Sequence, residues 1–137
     1  MRSTNLLKLF NLAIAIEQAL AKLYAGLAAT AGTEALRKFW LKLSADEHNH
    51  TAALQLQERL LRKSELGAQA RLSLDDAQAS YHALMTAIGE LTAKPRALVP
   101  TIDTCIDLEA LARVVHTDTL VHVSDPETRQ LFEKLAR

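Results

Sequence analysis

Apolar residues recur along this chain at steps of three and four, the spacing that puts side chains on one face of an α-helix. Phe10, Ala13, Leu20 and Tyr24 form one such stripe, and Leu36, Trp40, Leu43, Leu54 and Leu61 form another. Strand-type alternation is absent. The first helix is expected from about Thr4 to Thr30, where Ala31-Gly32 ends it and Thr33 can cap the next, which runs to about Glu65 before Gly67. Ser73-Leu74-Asp75-Asp76 opens a shorter helix that reaches about Ala93 and stops at Lys94-Pro95. Pro100-Thr101 opens another, lasting to about Val123, and Asp125-Pro126-Glu127 restarts a last, short helix.

These elements predict one all-α domain over residues 1–137, built as two helical hairpins at 4–65 and 101–137 with a long crossover connection at 66–100. Short loops join antiparallel neighbours, and a long crossover relates the two halves of one class of four-helix bundle. The halves also repeat at an offset of 92: Ile14, Glu17, Arg37, Lys42 and Leu43 recur as Ile106, Glu109, Arg129, Lys134 and Leu135. The same offset superposes the caps Thr33 and Asp125 and the aromatic residues Trp40 and Phe132.

Each of the first two stripes is interrupted by groups that do not belong in an apolar row. Glu17 sits within the first, and Glu47 and His50 sit within the second. Residues at i and i+3 share a helix face, so a carboxylate oxygen of Glu47 and an imidazole nitrogen of His50 can converge on one ion. Glu17 lies 16 residues before Thr33 and Glu47 lies 14 after it. At about 1.5 Å per residue both stand some 21–24 Å from the turn, level across the hairpin. Burying such groups without a partner costs several kcal/mol, which a metal ion would offset.

Glu17, then Glu47-His48-Asn49-His50, then Glu109 resembles the Glu, Glu-x-x-His, Glu portion of the rubrerythrin-like branch of the ferritin-like superfamily. The resemblance covers most of the chain apart from the connection. It implies a ferritin-like antiparallel four-helix bundle with Glu17, Glu47, His50 and Glu109 as metal ligands. It further implies iron, two ions in the family, and reaction with peroxide or oxygen or the handling of iron, with electrons from an external donor. Manganese or zinc would also suit the ligands. The matching Glu-x-x-His of the second half would be expected at 139 and 142 and is absent from the sequence, whose last residue is Arg137. A non-catalytic helical scaffold with a degenerate site is the alternative.

Composition narrows the partners. Sixteen basic and sixteen acidic side chains cancel to a formal net charge of zero, and no block of like charge stands out, so neither nucleic acid nor an anionic membrane is expected. One cysteine, Cys105, leaves no internal disulfide and no CxxC pair, which fits a reducing cytoplasm. No signal peptide and no membrane-spanning run is expected. Asp46, His48, His82 and His122 read as solvated, Cys105 as a small buried hydrophobe, and Tyr24 as a buried tyrosine or a hydrogen-bond donor to the site. His116 reads as a core or interface residue. A last helix of about 12 residues would be too short to cover its partner, so a homodimer is expected to close the open end.

Overall fold

The computed structural model describes residues 2–63, 68–69, 74–94, 97–119, 122–123, 130 and 134. The described chain is helical, with α1 at Arg2–Ala29, α2 at Glu34–Lys63, α3 at Leu74–Ala93 and α4 at Leu98–Thr119. Two short strands, β1 at Ala68–Gln69 and β2 at His122–Val123, pair antiparallel. The expected last helix after Asp125 falls almost wholly outside the described residues.

Local chemistry explains the boundaries. The Thr33 hydroxyl accepts the Leu36 amide at 3.2 Å, which caps α2 as the sequence suggests. Arg37 pairs with Glu34 one turn on. The start of α4 differs from the expectation, lying two residues before Pro100. Proline costs nothing in a first turn, because its missing N–H would have no helical acceptor there. The Thr101 amide and hydroxyl both donate to the Ala97 carbonyl, at 3.1 and 2.9 Å. The end of α4 also differs. It stops at Thr119 instead of running to Val123, since His122 and Val123 leave the helix to pair with Gln69 and Ala68.

α1 is the hub. It packs against α2, α3 and α4, and it buries two stripes: Phe10, Ala13, Glu17, Leu20 and Tyr24, and beside them Leu9, Ile16 and Leu23. A helix with partners on several sides must be apolar on several sides. Its segment Leu7–Ala29 consequently reaches a mean hydropathy of 1.3 over a length that would also suffice to cross a bilayer. The expectation that no apolar run is long enough is corrected here. Within this fold, that apolar character is used in contacts with the other three helices.

Contacts between α1 and α2 run in opposite directions along the two helices. Tyr24 stacks on Trp40 at a centroid distance of 5.9 Å, the Ser44 hydroxyl donates to the Ala21 carbonyl at 2.8 Å, and Glu17 lies 3.5 Å from His50. The pairing of β1 with β2 brings the chain after α2 and the chain after α4 to one end of the molecule. Although α3 lies in the expected connection, it belongs to the core. Ala77, Leu84 and Leu91 are buried at seven-residue steps, and α3 packs on both α1 and α4. α2 and α4 instead stand apart, facing each other across a cleft.

Because Leu84 is fully buried, Leu84→Ala is expected to cost about 2–5 kcal/mol of unfolding free energy. Leu41→Ala, at an exposed position of α2, should change it by no more than about 0.5 kcal/mol. Urea denaturation measures both. Equal, small effects would show that α3 does not contribute to the cooperative core.

Candidate metal centre

Glu17 projects from the middle of α1, and Glu47 and His50 project from one face of α2 a single turn apart. The hairpin brings them level, as the residue count predicts. One potential ligand atom from each of the three lies within 4.8 Å of the others. The His50 Nδ1 stands 3.3 Å from an oxygen of Glu47 and 3.5 Å from an oxygen of Glu17. Donors held at about 2.1 Å from one ion stand roughly 3.0 Å apart at adjacent octahedral positions and roughly 3.4 Å apart in a tetrahedron. The three side chains could therefore hold a metal ion.

Burial sharpens this. Glu17 and Glu47 are each only 3% exposed, whereas the His50 side chain is 43% exposed. Two buried carboxylates share one imidazole, which supplies at most one positive charge. A divalent ion would match their charge, and the exposed edge of His50 marks the side facing the cleft. His50 is held above its ordinary pKa chiefly by its hydrogen bond with Glu17. Burial opposes this, and the charges of Glu17, Glu109 and Asp46 reinforce it. The Glu47 oxygen is slightly nearer, at 3.3 Å against 3.5 Å for Glu17, and both carboxylates lie within ion-pair distance of the same ring nitrogen.

Glu109 is not brought into this cluster. It lines the same cleft from α4, where its carboxylate accepts the Tyr24 hydroxyl at 2.5 Å. Tyr24 is pushed well above the ordinary phenol range, first by burial and then by that hydrogen bond, and so remains a donor. Both sequence readings of Tyr24 meet here, since it is a buried tyrosine with a satisfied hydroxyl whose partner is an expected ligand. Cys105 is buried behind Glu109, and burial with the nearby Glu109 charge pushes its thiol up to about 11. It is a thiol at neutral pH, as a small hydrophobe would be.

Among the residues expected to be solvated, His48 and His82 are exposed. Asp46 pairs with Lys42 at 3.2 Å yet also lines the cleft. The side chains of His116 and His122 lie outside the described residues. Sequence reasoning missed the polar inner face of α2, where Ser44 and Thr51, each about one turn from Glu47, and Gln57 farther along are buried. Their signal was present in the steps Trp40, Ser44, Glu47, Thr51 and Leu54. It also missed Arg113, which follows Glu109 by one turn on the cleft wall.

Compared with protein-family models, with curated proteins and with solved structures, the chain matches none.

The raised pKa of His50 has a signed consequence for the metal-free protein. Protonated His50 stabilises the fold fully below its ordinary 6.5, and this contribution is lost as pH rises through the higher folded value. The stability of the wild type relative to His50→Ala should thus decline over a window beginning near pH 6.5. An NMR titration should place His50 above 6.5, with Glu17→Gln lowering it. A wild-type value at or below the ordinary one contradicts the shared ion pair.

Proposed function

We propose that this protein is a ferritin-like, non-haem metal-binding protein, with iron as its metal and redox or iron-handling activity resembling that of rubrerythrin. The observation that carries the reading is the convergence of Glu17, Glu47 and His50 from two helices on one point, with both carboxylates buried. Two hard oxygen donors and one imidazole suit iron or manganese, and would accept zinc. The opposed run of α1 and α2 supports the ferritin-like part of the reading. So does the common end reached by α2 and α4, which a long connection between those helices produces.

In this reading Glu17 and Glu47 provide the negative charge that attracts and neutralises the cation, and His50 provides a nitrogen donor once deprotonated. Tyr24 holds Glu109 on the opposite wall, where its charge adds to the attraction without needing to ligate. A bound iron ion supplies a centre for oxygen or peroxide binding and for electron transfer. As the rubrerythrin-like resemblance implies, turnover would draw electrons from an external donor. His50 is part-exposed in the cleft, and that open side would give a reactant access to an ion held by Glu17, Glu47 and His50.

Replacing Glu47 by Gln and His50 by Ala together should reduce bound metal to background in elemental analysis, while the helical circular dichroism persists. Stoichiometric metal in that variant rejects the assignment. A wild type that takes up no metal, paired with a more stable double variant, identifies the cluster as a polar core of a scaffold with no ion.

With ferrous iron loaded, peroxide should oxidise the protein faster than oxygen does, as followed by stopped-flow absorbance. Identical rates in wild type and Glu17→Ala would mean that the ion reacts without an organised site.

A further inference from the structure

The cleft between α2 and α4 has two chemically different ends. Its volume of about 820 Å³ lies within the range of small-molecule sites. Along α2 its wall runs from Phe39, Trp40 and Leu43 to Asp46, Glu47 and His50, and along α4 from Ile102 and Ile106 to Glu109 and Arg113. Both helices finish at the end marked by the β1–β2 pair, so the apolar stretches face each other and the polar stretches face each other. Phe39 and Ile106, 45% and 60% exposed, leave an apolar rim in water.

Charge at the polar end selects the kind of head group that fits. On the metal-binding reading a divalent ion would balance Glu17 and Glu47, Asp46 is paired with Lys42, and Glu109 has Arg113 one turn away on the same wall. The sum is close to zero. A charged head group of either sign would lose its hydration on entering without a net opposite charge to replace it.

We propose that the cleft binds an uncharged amphiphile, with its apolar body between Phe39, Leu43 and Ile106 and an oxygen head, hydroxyl or hydroperoxide, beside Glu47, His50 and Glu109. The charge count rests on the metal-binding reading, and the apolar half does not. The same site would therefore take organic molecules in preference to a bare, fully hydrated reactant.

Trp40 is the only tryptophan of the chain and lies in the apolar half, so its emission reports occupancy. Metal-loaded protein is titrated with decanol, decanoate and decylammonium, which share a tail and differ in charge. Decanol is expected to give a saturable change with at least about tenfold tighter binding than either ion. Ile106→Glu, at an exposed position, should weaken decanol by about tenfold or more while metal content and circular dichroism stay unchanged. After metal removal the uncompensated carboxylates should shift the preference to decylammonium.

With metal bound, failure of all three probes, or unchanged affinity in Ile106→Glu, overturns the cleft proposal and leaves the metal reading standing. A protein that takes up no metal and prefers decylammonium throughout refutes the metal reading and with it the uncharged head. Should light scattering show a dimer to which no probe binds, a second copy fills the cleft and the small-molecule site is overturned.

Discussion

Two buried carboxylates on neighbouring helices are the constraint around which the molecule is arranged. Two carboxylates at the centre of a hairpin lose their hydration together, and the burial is tolerable only with a proton or a cation to offset it. His50 provides that cation in part, from the same helix as Glu47 and within reach of Glu17. The register of α1 against α2 is tied to this point. Toward the turn it is continued by Ser44 on the Ala21 carbonyl and Trp40 on the Tyr24 ring. Sliding either helix by one turn would separate the carboxylates from the imidazole and strand all three.

The hub position of α1 extends that constraint to the rest of the fold. α3 and α4 pack on it and on each other, which holds α4 at the height where Glu109 meets Tyr24. That hydrogen bond ties the first half of the chain to the second and holds the Glu109 carboxylate on the cleft wall opposite Glu47 and His50. α2 and α4 border the cleft, where Phe39 and Ile106 are lining residues left exposed. The cluster is thereby buried on the side of α1 and open toward α4, where His50 is part-exposed in the cleft.

Helical order and the level of Glu17 with Glu47 and His50 were legible in the chain alone. Both follow from local quantities: the 3.6-residue period puts residues on a face, and the fixed rise per residue converts distance from Thr33 into height along a hairpin. The Thr33 cap was legible for the same reason, since its acceptor and its donor lie three residues apart. Only the tertiary structure decided that Glu109 serves Tyr24, that Leu84 and Leu91 of the connection belong to the core, and that α4 starts before Pro100 and yields its end to β2. It also decided that Phe39 and Ile106 frame one cleft. Each of these depends on contacts between segments separated by tens of residues, for which the sequence carries side-chain chemistry but no register; packing around α1 supplies the register.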